Sequence, residues 1–163
     1  MTTPPPTKRR SMLSSAATTV VLILLAIFVL LAMYIDDWRR DLTTNHAATS
    51  ADAADESLRP IATALTVSAA ADLVERAAAT LPRWQAAGRN PDGEAIELRF
   101  VRTTPLMRFK DDITVRVAPA TGQGGGGRIT AESQSRVGKG DLGQNPRNLR
   151  ELLTAIRGQM AGG

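Results

Sequence analysis

From Ala16 to Ile35 the chain carries no charged side chain, and this run constrains the fold more than any other stretch. Twenty helical residues at about 1.5 Å each reach roughly 30 Å, the thickness of a bilayer's hydrocarbon layer. A single transmembrane helix is therefore expected over residues 16–35. Lys8, Arg9 and Arg10 precede it, while Asp36, Asp37, Arg39, Arg40 and Asp41 follow. The positive-inside bias then places the N-terminus in the cytoplasm, although Arg39 and Arg40 weaken the contrast. Tyr34 and Trp38 fall where an interfacial aromatic anchor would sit. A cleaved signal peptide shares the order basic, apolar, polar, but its apolar core is shorter, about 7 to 15 residues. No small-x-small site follows the run closely, and Ala51-Asp52-Ala53 is too distant. The expectation is a signal anchor in the cytoplasmic (inner) membrane, with the C-terminal domain periplasmic or otherwise extracytoplasmic.

No cysteine is present, so neither a disulfide nor a lipid-modified thiol braces the chain, and the fold must rest on its apolar core. Charge is uneven along the 163 residues. Residues 36–57 hold six acids against Arg39 and Arg40, whereas residues 58–163 hold fifteen Lys/Arg against ten Asp/Glu. The division expected is a disordered cytoplasmic segment (1–15), an anchor (16–35), an acidic small-residue linker (36–57) and a basic domain (58–163). A basic surface is either simply solvated or attracted to anionic lipid or an envelope polymer. Nucleic acid is not expected as a partner, because basic and aromatic residues do not interleave. His46, the sole histidine, lies in the linker and is expected to be exposed and without chemistry.

The domain is expected to begin near Arg59 or Ile61, with a short strand over 64–67 and Ser68 capping a helix. Leu73, Val74, Ala77, Ala78 and Leu81 recur at helical spacing until Pro82. A short strand over 83–87 and a turn at Asn90–Gly93 lead into a strand over 94–103, where Ile96, Leu98 and Phe100 alternate with Glu97 and Arg99. In the next strand Met107, Phe109, Ile113, Val115 and Val117 share one face. A glycine-rich hairpin loop over 122–127 precedes a strand over 128–137. Last, Asn145 caps a helix, Pro146 takes its first position, and Leu149, Leu152, Leu153, Ile156 and Met160 form its apolar stripe. Hairpin-length connections favour antiparallel pairing, and both helices need the same apolar sheet face. The fold class expected is α+β, a two-layer sandwich of a mainly antiparallel sheet with two helices on one face, preceded by the transmembrane helix.

Gly138-Lys-Gly-Asp-Leu-Gly143 fits G-x-G-x-x-G, but no further strand or acidic ribose ligand follows, which argues against a dinucleotide. Free amides at the helix start, with Lys139 and Arg147 nearby, offer a possible anion site; the simpler reading is a tight turn that needs glycine. Strict alternation puts Asp111 among apolar residues, where its carboxylate needs partners, Arg136 or Arg116, or a bulge. Asp111, Asp112 and Asp141 would make an acid/base or divalent-metal site only if a kink brought neighbouring strand positions together. Ser133 and Ser135 lie on the face of Ile129 and Ala131 and are expected to sit beneath a helix. With the only histidine far away, they have no serine-histidine chemistry.

Two segments carry a resemblance. Phe109-Lys-Asp-Asp-Ile113 is similar to an F-x-D-D-hydrophobic motif, and Ser135-Arg-Val-Gly-Lys-Gly-Asp-Leu-Gly-Gln-Asn145 to S-R-V-G-x-S-D-L-G-x-N. Both resemble the bacterial and plastid family named domain of unknown function 1499, over about residues 61–157. The resemblance makes Asp111, Asp112, Arg136, Asp141 and Asn145 the family-type polar cluster. Gly140 stands where the family usually has Ser, Pro146 enters the helix start, and Asn148 replaces a usual Arg. It implies no activity, cofactor or small-molecule ligand, and no catalytic or metal residue is assigned. The leading expectation is a membrane-anchored, non-catalytic binding or assembly module with a protein partner in the membrane or envelope. The alternatives are an envelope enzyme using an Asp/Arg site with a divalent metal, and electrostatic docking to anionic lipid or polymer.

Overall fold

The computed structural model describes residues 9–35, 37–121 and 125–162, so Asp36 and part of the expected glycine-rich loop lie outside the described residues. The chain divides into two compact units, 1–36 and 37–163.

In the first unit, α1 (Arg9–Tyr34) is one helix. It begins inside the segment expected to be disordered, of which only residues 1–8 lie outside the description. The side chains from Val20 to Leu30 include Leu22, Leu24, Phe28 and Leu30 at 60–66 % exposure, and residues 15–30 are all exposed. Among the described residues, no helix is long and apolar enough to cross a membrane.

The second unit is α+β. Its order is α2 (Trp38–Thr43), β1 (His46–Ala48), a 3-10 turn (Glu56–Leu58), β2 (Ile61–Thr63), α3 (Val67–Ala79), β3 (Trp84–Asp92), β4 (Ala95–Thr103), β5 (Lys110–Pro119), β6 (Gly127–Ser135) and α4 (Gln144–Ala161). The sheet runs β1-β6-β5-β4-β3, and β2 pairs beside β1 on the same edge of β6. Every pairing is antiparallel.

Alternation builds the core. Leu98 and Phe100 on β4, Ile113, Val115 and Val117 on β5, and Ile129 on β6 point to one face. Helix α3 covers it with Leu73, Val74, Ala77 and Ala78, and α4 with Leu149, Leu152, Leu153 and Ile156. The alanines of α3 bring its backbone close to the sheet. Trp84 closes one side edge-to-face on Phe100, with ring centroids 6.2 Å apart.

Several expectations shift. The linker expected over 36–57 is folded from residue 37 on: α2 and β1 form within it, β1 pairs residues 132–134 of β6, and the domain begins at Asp37. The short strand expected over 64–67 lies at 61–63, and Thr66, not Ser68, caps α3 by accepting from the Ala69 amide. Pro91, which cannot donate to a ladder, is tolerated within β3 because that strand is an edge, so β3 continues to Asp92 through a bulge at Ala86/Gly88. Strand β5 starts at Lys110, because Pro105 opens a turn that closes when Thr104 accepts from the Phe109 amide at 2.8 Å. Met107 and Phe109 are consequently exposed instead of in the core. His46 is half-exposed on β1 beside Glu132 rather than in a free tract.

The 3-10 turn is fixed to α4 through Asp55. Its carboxylate accepts from the Ser57 hydroxyl at 2.6 Å and from Arg150 Nε at 2.7 Å. The Ser57 hydrogen bond, followed by Arg150, holds the Asp55 carboxyl down at about 2. A folded-state value below the unfolded one stabilises the fold above about pH 4, and that contribution is lost as pH falls towards the folded value. The stability difference between the natural chain and Asp55→Asn should therefore be flat near neutrality and shrink below about pH 4 in acid-unfolding series. Independently, Leu152→Ala, at a fully buried position, should cost about 2–5 kcal/mol in chemical unfolding.

Candidate functional site: a closed polar ring beneath the C-terminal helix

Where β5, β6 and the start of α4 meet, the apolar face gives way to buried polar side chains. Asp111, Ser133, Ser135, Asn145 and Asn148 are all at most 8 % exposed. Their hydrogen bonds close a ring. The Ser135 hydroxyl donates to Asp111 Oδ1 at 2.7 Å, and Asn145 Nδ2 donates to Ser135 Oγ at 3.0 Å. The Ser133 hydroxyl donates to Asn145 Oδ1 at 2.6 Å. Asn148 Nδ2 donates both to Ser133 Oγ at 3.1 Å and to Asp111 Oδ2 at 2.9 Å. Each serine thus donates once and accepts once, and both carboxylate oxygens have a donor. A buried polar group with all its partners avoids the desolvation cost that an unpaired one incurs.

The ring also reaches the N-terminal segment. Asn145 Nδ2 donates to the Asn45 carbonyl at 2.6 Å, and the Ser135 amide donates to the same oxygen at 2.9 Å. The Asp41 carbonyl accepts from the Asp141 and Leu142 amides at 3.0 and 2.9 Å. Asp41 itself is fully buried and paired with Arg40. Gly140 fits because a Cβ there would collide with the backbone carbonyls of Asp41 and Leu42. Gly143 is needed for its φ of 75° and because a Cβ would meet the Asp41 carboxylate.

The polar positions expected to act together are separated. Asp111 is inside the ring, partnered by Ser135 and Asn148 rather than by Arg136 or Arg116. Asp112 points to the opposite sheet face and makes a two-pronged pair with Arg136 at 2.8 and 2.6 Å. That guanidinium hydrogen bond holds the Asp112 carboxyl below its ordinary value and raises Arg136. Asp141 accepts from the Gly143 and Asn145 amides at 2.9 and 2.6 Å. Those are the amides expected to be free for an anion, so the chain's own carboxylate fills that place. Lys139 is exposed beside it, and Arg147 donates to the Leu142 carbonyl. Asn145 is not the cap: α4 begins at Gln144 after Gly143, and the Asn145 side chain turns inward.

Among the described residues, no group of three or more His, Cys, Asp or Glu side chains is placed to hold a metal ion. A groove of about 810 Å³ opens between β2, α3 and the end of α4, lined by Leu65, Leu73, Arg76 and Met160 among others, and none of the motif's polar residues borders it.

Sequence reasoning missed Asn148 as a ring member, although it stands three positions after Asn145, on the same helical face. It also missed Arg102, which strand parity places after Leu98 and Phe100 and opposite Asp111. Arg102 is 8 % exposed; its Nε donates to Glu151 at 3.3 Å, while its Nη1 is buried without a partner among the described residues. Trp84 Nε1 donates to the same Glu151 carboxylate. Asp41 and Asn45 act largely through main-chain carbonyls, which no residue type announces.

Removing the ring's acceptor and breaking the surface pair should differ in cost. Asp111→Ala strands the Ser135 hydroxyl and the Asn148 amide and should cost about 1–3 kcal/mol for each group left unsatisfied. Asp112→Asn disturbs a pair whose partners are each 47 % exposed, and should cost no more than about 1 kcal/mol. Urea unfolding followed by tryptophan fluorescence measures both.

The sequence matches, over residues 37–156, the family model described as Protein of unknown function (DUF1499). No curated protein and no solved structure matches it. The matched span opens at the residue where the second unit begins and takes in α2, β1 and the whole ring. Covering more than half of the chain, it shows that this protein belongs to the DUF1499 family.

Proposed function

We propose that this protein is a single-pass component of the cytoplasmic membrane, with its N-terminus in the cytoplasm. Its α+β domain stands outside the cytoplasm as a non-catalytic binding or assembly module. The observation that carries the non-catalytic reading is the fate of the three family-type acids. Asp111 is enclosed in the ring, Asp112 is bound to Arg136 on the other face, and Asp141 is spent on the amides at the start of α4. A general acid or base must reach the proton it moves, and two carboxylates must converge to share that work. Here they face three different tasks in the fold. Support for anchoring comes from the charge-free run 16–35 taken whole, with Lys8, Arg9 and Arg10 before it, and from the exposed apolar side chains of α1. Residues 31 and 34 of that run have side chains outside the described set.

Because the chain has no cysteine, single cysteines report its topology without background. With a membrane-impermeant maleimide on intact spheroplasts, Thr121→Cys should label and Ser11→Cys should not. The opposite pattern, or a mature soluble chain lacking its first forty or so residues, overturns the anchoring. Crosslinking in native membranes followed by purification should yield a stoichiometric protein partner retained at high salt. Reproducible recovery of the full chain alone, with turnover of a co-purified small molecule that Asp112→Asn abolishes, overturns the module in favour of an enzyme.

A further inference from the structure

We infer that the end of the domain next to the chain's entry point docks directly on an anionic lipid surface, inserting the β4–β5 loop between headgroups. This rests on the anchored reading above and specifies what the module's near face does.

The sheet defines that end. β4 finishes at Thr103, β5 starts at Lys110, β6 finishes at Ser135 and α4 starts at Gln144, so the loops 104–109 and 136–143 emerge together. The Arg136 amide donates to the Lys110 carbonyl, and Asn45 Nδ2 donates to the Gly138 carbonyl at 2.8 Å. Helix α2 lies against the second loop through the Asp41 carbonyl. Asp37, where the domain begins, is two positions from Ile35, the last residue of the charge-free run.

Exposed apolar residues concentrate here. Leu106 is 87 % exposed, Met107 64 %, Phe109 45 %, Val137 60 % and Leu142 40 %. Trp38 and Leu42 on α2 are exposed as well, and within the described part of the domain the remaining exposed large apolar side chain is Leu65. An apolar patch of this kind marks a place where water is displaced by a partner. Charge selects the partner. Arg39, Arg108, Lys110 and Lys139 border the patch, are exposed, and make no ion pair among the described residues. The nearby described acids are already engaged: Asp112 by Arg136, Asp141 by backbone amides, Asp41 by Arg40, and Asp37 by the Arg40 amide that it caps. Apolar side chains at a loop tip within a cationic rim fit the acyl boundary beneath anionic headgroups, where each nearby Lys or Arg adds attraction.

The test uses the full chain reconstituted in vesicles of phosphatidylglycerol and phosphatidylcholine in equal parts. An environment-sensitive fluorophore is placed on single cysteines at Met107→Cys, at Asp92→Cys on the opposite end of the sheet, and at Leu25→Cys inside the run. The position-107 probe should shift to the blue and be quenched by spin-labelled lipid, while the position-92 probe stays aqueous. Adding Lys110→Glu and Lys139→Glu, or using phosphatidylcholine alone, should reduce the position-107 quenching several-fold. If position 25 reports lipid but position 107 stays as aqueous as position 92, the docking is overturned and the anchor stands. If position 25 is aqueous too, the anchored reading falls and this inference falls with it. Shielding at 107 that appears only in native membranes assigns the patch to a protein partner and overturns the lipid proposal.

Discussion

The buried carboxylate of Asp111 is the contact on which the geometry of this domain turns. It lies on the sheet face that carries Ile113 and Val115 and is 1 % exposed, where an unpaired charge or dipole is costly. Ser135 and Asn148 meet its two oxygens, and those donors are in turn fixed by Asn145 and Ser133. One strand, its neighbour and the first turns of α4 are thereby held in a single register. A shift of α4 by one residue would leave several of these groups without partners, whereas a purely apolar seam would tolerate the slip at less cost.

The ring accounts for why the segment after residue 36 belongs to the fold. Asn145 uses its remaining donor on the Asn45 carbonyl, and the Asp141 and Leu142 amides use the Asp41 carbonyl. The glycines at 140 and 143 let that segment approach closely. What the sequence displays as a glycine-rich motif ending in Asn145 is thus a junction joining the entering chain to the sheet and to α4. The same junction gathers exposed apolar and cationic side chains at the end of the domain formed by the loops 104–109 and 136–143.

Much of the architecture was legible from periodicity. The alternation through Ile113, Val115 and Val117 located the buried face and placed Asp111 on it, and the leucine stripe located α4. The ring was half legible: Asp111, Ser133, Ser135 and Asn145 were on the page, but their mutual bonding was not, because side-chain partners across 10 to 24 residues depend on register. Main-chain acceptors at Asp41 and Asn45 leave no mark on residue type, so α2 and β1 read as a small polar linker. Met107 and Phe109 fitted the strand's parity and misled it; Pro105, a turn former, was the signal that the strand had not yet begun. Arg102 could have been found by the parity that located Leu98 and Phe100.

The most direct test of this account is native-state hydrogen exchange on the chain carrying Asn145→Ala. If the ring joins the entering segment to the sheet, the amides of Ser135, Asp141 and Leu142, together with the Thr49 amide beyond β1, should lose protection as one unit, while the β3–β4 ladder keeps its own. Protection around residues 41–49 that is unchanged by the substitution would show that the segment is held by something other than this ring.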